Sequence, residues 1–150
     1  PQLNCALALD KEHETFSFRE LVDSPVSVLQ GIGPVHTEQL QSLKIFTVKD
    51  LADYKHYHLC KAIQTLAATE EENGRLEGAK MNIKKGLDRN VQHYSFNELL
   101  KCTPEVLFGV PDAAEKTLKS LGVHTLNDLA DFKYCQWAEA MVAASKFEQS

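Results

Sequence analysis

An internal repeat constrains this chain more than any other feature. Phe16 to Ala67 can be written above Tyr94 to Ser145 with a shift of 78 and no gap. Seventeen of the 52 aligned positions are identical, and most other apolar positions stay apolar. The strongest block sets TVKDLADYK (Thr47 to Lys55) against TLNDLADFK (Thr125 to Lys133). Gapless agreement over this length is the mark of a duplication, so the fold must be built from two similar units. The length of 150 residues fits one domain or two small ones.

Each copy reads as helix. SFRELV and SFNELL place Ser17 and Ser95 as N-caps with Glu20 and Glu98 three residues on, the pattern of a capping box. A short helix through Val28 and Leu29, or Val106 and Leu107, leads to Gly31 or Gly109. A second helix carries an apolar stripe, Val35, Leu40 and Leu43 in copy one, or Ala114, Leu118 and Leu121 in copy two. Thr47 with Asp50, and Thr125 with Asp128, signal another capped start. The last helix offers Leu59, Ile63 and Leu66, or Trp137, Met141 and Ala144. Phe16, Phe18, Tyr94 and Phe96 are expected to pin the first helix of each copy to its core, and Asp53 and Asp131 to act as local caps. Alternation of strand type is missing, so an all-α fold is predicted.

Three segments follow: repeat one over 16–67, a connector over 68–93 and repeat two over 94–145. In the connector Leu76, Ala79, Ile83, Leu87 and Val91 recur every three or four residues, which predicts a connecting helix. Its outer face would carry Arg75, Lys80, Lys84, Lys85 and Arg89.

The segment LQGIGPVHTEQLQSLKIFTVKDLA (Leu29 to Ala52) resembles the helix-hairpin-helix superfamily, whose apolar-Gly-apolar-Gly hairpin joins two short helices. LFGVPDAAEKTLKSLGVHTLNDLA (Leu107 to Ala130) is a divergent second copy. The resemblance implies duplicated SAM-like helical units and leaves function open, because relatives bind DNA, RNA or other proteins. In a hairpin of this kind two glycines expose backbone N–H groups at a positive helix end, which suits a phosphate oxygen. Copy one keeps Gly31, Ile32 and Gly33, with Thr37 placed to hydrogen-bond a phosphate. Copy two has Pro111 in place of Gly33, followed by Asp112 and Glu115, which repel phosphate. It reads as a structural hairpin with Asp112 as a helix cap.

Charge sharpens this. The chain has 16 basic and 21 acidic residues, net −5. Copy one (16–67) has five of each, whereas residues 94–150 have five basic and eight acidic. Acidity therefore weighs against copy two as a polyanion binder and hardly against copy one. No apolar run reaches the roughly 20 residues of a membrane span, and the first ten residues show no signal-peptide pattern. Cys5, Cys60, Cys102 and Cys135 match no metal or disulfide framework, so free thiols in an intracellular, reducing compartment are expected. His56 and Cys60 lie one helical turn apart, too few ligands for a structural metal. Neither a nucleophile elbow nor a phosphate-binding glycine loop occurs. The expectation is a non-enzymatic interaction module that binds a protein partner and needs no cofactor or metal. The alternative is non-sequence-specific nucleic-acid binding through Gly31, Ile32, Gly33 and Thr37, aided by Lys80, Lys84, Lys85 and Arg89.

Overall fold

The computed structural model describes residues 2–149. The fold is all-α, with eight α-helices among those residues. They are α1 (Phe18–Val22), α2 (Pro34–Ser42), α3 (Val48–Ala52), α4 (Lys55–Ala67), α5 (Phe96–Leu100), α6 (Asp112–Ser120), α7 (Leu126–Ala130) and α8 (Lys133–Ser145). Every helix of the first set returns in the second at an offset of 78, with the same length.

The helices start where local chemistry says they should. Ser17, Thr47, Ser95 and Thr125 each accept the amide of the residue three along, and Glu20, Asp50, Glu98 and Asp128 reach back to the cap amide. Four reciprocal capping boxes thus satisfy N–H groups that a helix start otherwise leaves open. Asp53 and Asp131 take the C-cap positions of α3 and α7. Asp112 is not a cap: Pro111 holds the N-cap position, and Asp112 is the first residue of α6. With φ already fixed near helical values, Pro111 sets the entry and needs no side-chain acceptor.

The chain divides into two units, and the division does not follow the repeat. Unit 1 is Pro1–Tyr54 with Lys133–Ser150, and unit 2 is the continuous stretch Lys55–Phe132. In unit 1, α8 packs on α1 and α3. In unit 2, α4 packs on α5 and α7. The last helix of each sequence copy therefore completes the core of the other. Unit 1 buries Leu21, Val26, Leu40, Val48 and Leu51 with Met141 and Ala138 of α8. Unit 2 buries Leu99, Leu107, Leu118, Leu126 and Leu129 with Tyr57, Cys60 and Ile63 of α4. A large apolar side chain contributes about 1.5–3 kcal/mol when fully buried, so each exchanged helix is a major part of its unit.

One acidic residue just past the end of each copy repeats the exchange. The Glu148 carboxylate, just past α8, accepts the amides of Phe18 and Arg19 at 2.7 and 3.0 Å, at the start of α1. The Glu70 carboxylate, just past α4, accepts those of Phe96 and Asn97 at 2.7 and 3.1 Å, at the start of α5. A carboxylate at the positive end of a helix is favourable through both hydrogen bonding and the peptide dipoles.

The expected connecting helix is absent. Residues 68–82 are exposed throughout and hold no regular helix beyond the end of α4. Among the described residues little covers Leu76 or Met81, which are 79% and 78% exposed, so an amphipathic helix there would have no face to bury. Gly78 adopts a left-handed φ of 84°, which ends any helical run. The periodic residues further on belong to two 3₁₀ turns, Lys84–Gly86 and Arg89–Val91, which stand 78 positions after Ala6–Ala8 and Lys11–His13. The similarity of the copies thus reaches back to residues 5 and 83, leaving 68–82 as the linker.

Several apolar assignments shift as well. Val35 is 67% exposed and Leu66 is 46% exposed, while Leu40 and Ile63 carry the burial of their helices. Phe16 and Tyr94 sit at the rim, edge-on to His13 and His93, and Leu21 and Leu99 anchor α1 and α5 instead.

The caps make stability depend on pH. Partial burial raises the pKa of Asp50 and Glu70, but hydrogen bonds outweigh it, from Phe46 and Thr47 to Asp50 and from Phe96 and Asn97 to Glu70. Ser95 lowers the pKa of Glu98, and the amides of Arg19 and Phe18 lower that of Glu148. All four bind a proton more weakly folded than unfolded. Each adds stability above its unfolded value, 3.8 for Asp or 4.5 for Glu, and loses it as pH falls through that region. His56 acts in the same sense from 6.5 downward, because burial and then the charge of Lys55 depress its pKa. Among these acidic groups Glu115 opposes, raised by burial and by Glu105. The thermal midpoint, followed by circular dichroism, is expected to start falling below about pH 6.5 and to fall more steeply below about 4.5. A midpoint that rose on acidification would contradict these assignments.

Candidate functional site

Two places hold the residues singled out in the sequence. The first is the hairpin of unit 1. Gly31 turns the chain with φ of 99°, Ile32 is buried, and Gly33 is the N-cap of α2 with Pro34 at the first helical position. Ile32 donates its amide to Leu29 O at 3.2 Å, whereas the amides of Gly31 and Gly33 donate to no group among the described residues. The Thr37 hydroxyl donates back to Gly33 O at 2.9 Å, as Ser and Thr often do within a helix.

The second is a groove in unit 2. Lys84, Lys85, Leu87, Asp88, Arg89, Gln92 and Phe108 line an open depression of about 580 Å³. The 3₁₀ turns 84–86 and 89–91 form one wall, and Phe108, the residue before hairpin Gly109, forms the other. Backbone bonds lock the walls together: Asp88 N to Val106 O at 2.8 Å and Phe108 N to Gly86 O at 2.9 Å, with Leu87 and Leu107 bridged antiparallel. Gln92 Nε2 donates to Lys84 O and Leu87 O, bracing the turn. Lys84, Lys85 and Arg89 form no ion pair among the described residues, and Phe108 is 63% exposed.

Gly31, Ile32, Gly33 and Thr37 lie in unit 1, and Lys80, Lys84, Lys85 and Arg89 lie in unit 2. Lys84, Lys85 and Arg89 come together, not on a helix face but around a groove. Lys80 stays in the exposed linker, outside the groove. The sequence reading missed Phe108 and Gln92. The offset of 78 could have found them, since Phe108 replaces Gln30 and Gln92 replaces Glu14.

Unit 1 is built the same way at the matching place. Asp10 N donates to Val28 O and Gln30 N to Ala8 O, both at 2.9 Å, with Leu9 bridged to Leu29. Its side chains differ: Ala6, Leu7, Lys11 and Gln30 stand where unit 2 has Lys84, Lys85, Arg89 and Phe108. One frame thus carries two surfaces: unit 1 sets Ala6 and Leu7 among Asp10, Lys11, Glu14 and Gln30, whereas unit 2 is basic with an aromatic ring.

The remaining reactive groups lie elsewhere. Burial pushes the Cys60 thiol up to about 12, which keeps it protonated and unreactive. No group of three or more His, Cys, Asp or Glu among the described residues is placed to hold a metal ion. In unit 1, Trp137 meets Tyr134 edge-on, and the Lys133 ammonium lies 5.1 and 5.4 Å from the two ring centres. No helix among the described residues is long and apolar enough to cross a membrane. No protein-family model, curated protein or solved structure matches the chain.

Proposed function

We propose that the chain is a duplicated helix-hairpin-helix module, non-enzymatic, that engages a protein partner through unit 1. Support for the family reading comes from the hairpins: Gly31 and Gly109 hold left-handed φ values of 99° and 82° at the same place in each copy. The interaction reading rests on Leu7. It is 93% exposed on the first 3₁₀ turn, and Leu3 just before that turn is 88% exposed. The fold does not require an apolar group there, because unit 2 places Lys85 at the matching position of a matching turn. An exposed leucine that the fold does not require, with Leu3 four residues before it, fits an interaction surface.

The same comparison supplies the test. Leu7→Lys installs the residue that unit 2 already accepts, so the fold should persist. Wild-type chain, Leu7→Lys and a control at an exposed residue of unit 2, Lys116→Ala, are used to capture partners from a native extract after cross-linking. A partner retained by wild type and control should be retained roughly thirtyfold less well by Leu7→Lys, the scale of a hot-spot residue. Equal capture by all three would overturn the reading.

A further inference from the structure

We infer that the groove of unit 2 binds single-stranded nucleic acid, with phosphates on Lys84, Lys85 and Arg89 and an unpaired base against Phe108. The charge is local. Three cations and one carboxylate, Asp88, line the groove, on a chain whose net charge is −5. None of the three cations is engaged in an ion pair among the described residues, so an incoming phosphate displaces no protein carboxylate. Phe108 offers an exposed aromatic face beside them. Cations that follow a backbone, with a ring on which a base can stack, form the recurring pattern of single-strand recognition. A duplex keeps its bases stacked inside, so it meets only the cations.

Unit 1 shows that Lys84, Lys85 and Phe108 are not there for folding, because Ala6, Leu7 and Gln30 hold their places, while Arg89 has a basic counterpart in Lys11. The same turns, backbone bonds and bridge form around Ala6, Leu7, Lys11 and Gln30. Replacing groove residues by their unit 1 counterparts is therefore a substitution that this frame already tolerates. The groove inference is independent of Leu7 and stands or falls separately from the proposed protein partner.

The test is fluorescence anisotropy with the full chain and labelled oligothymidine and oligouridine of about twelve nucleotides, within the size range of single-strand sites. Lys84→Ala, Phe108→Gln and the unit 1 control Lys11→Ala are compared with wild type, with circular dichroism to check helix content. Binding should weaken as salt rises, and the slope of log affinity against log salt should shrink by about one phosphate contact in Lys84→Ala. Phe108→Gln should bind about tenfold more weakly with an unchanged salt slope. Lys11→Ala should match wild type. A duplex of equal length, a mononucleotide and an oligoglutamate peptide should each bind at least tenfold more weakly than the strand. Absence of binding at low salt overturns the inference. So does binding that neither groove substitution changes, or a duplex, mononucleotide or acidic peptide that binds as well as the strand. If Phe108→Gln failed to fold, the Lys84→Ala slope and the strand-to-duplex comparison would still decide the matter.

Discussion

Cutting the linker is expected to leave the protein in one piece under native conditions. Residues 71–82 are exposed and contain Glu71, Glu72 and Glu77, so a glutamate-specific protease should cut there first. The N-terminal fragment then keeps α4, whose packing partners α5 and α7 lie in the C-terminal fragment. The C-terminal fragment keeps α8, which packs on α1 and α3 of the other. Separation would strip Tyr57, Cys60 and Ile63 from one core and Ala138 and Met141 from the other. At about 1.5–3 kcal/mol for each large apolar side chain, that cost exceeds what a nick releases. The cut chain should elute with intact chain on size exclusion, yet show two bands of about half of 16.8 kDa on a denaturing gel. Its unfolding should also become dependent on concentration. Two freely separating fragments would mean that each sequence copy is self-contained, and the exchange of helices would be refuted.

Paired left-handed positions should respond in opposite directions. Gly31 and Gly109 turn at φ of 99° and 82°, and the C-terminal turns of α2 and α6 use Lys44 at 66° and Gly122 at 88°. Alanine at Gly109 should cost about 1–2 kcal/mol, because an L residue is disfavoured there and the space is otherwise open. Alanine at Gly31 should cost more, since its Cβ would overlap the Tyr134 hydroxyl as well. Lys44→Gly should gain up to about 1 kcal/mol, part of the relief being offset by the greater freedom of glycine in the unfolded chain. Copy two has already made that choice with Gly122. Urea titrations at constant slope measure all three. If Gly31→Ala cost no more than Gly109→Ala, the seat of Tyr134 against the hairpin would be wrong. A substitution at Gly31 would also be a poor probe of binding, because it disturbs the packing of α8 in unit 1.

What was legible in the sequence is what is local. The four capping boxes could be read because each is settled within four residues. The helix exchange could not. Ile63 and Met141 occupy the same place in nearly the same apolar pattern, so α4 and α8 each suit either core, and periodicity carries no information on which one they enter. The connecting helix was an error of the same origin. Ile83, Leu87 and Val91 have helical spacing, yet Leu87 pairs with Leu107 and Val91 closes a 3₁₀ turn. The true match is with Cys5, Leu9 and His13, and it is faint in the sequence because only Leu9 and Asp10 agree with their counterparts over those eleven positions. Helical spacing would set Lys84, Lys85 and Arg89 along one helix, whereas they stand on two 3₁₀ turns. Their grouping with Phe108 depends on a hairpin some twenty residues away in sequence.

The division of the chain also determines how it bears load. Both flanks, Pro1–Tyr54 and Lys133–Ser150, belong to unit 1, and unit 2 is spliced in between them. Tension applied through the two ends enters unit 1 from both sides and pulls α8 away from α1 and α3. Along the chain, unit 2 is joined to unit 1 at Tyr54–Lys55 and Phe132–Lys133, so the backbone carries tension into it once unit 1 has given way. Unit 1 is thus the mechanical fuse of the molecule, and the groove of unit 2 lies in the part shielded from strain.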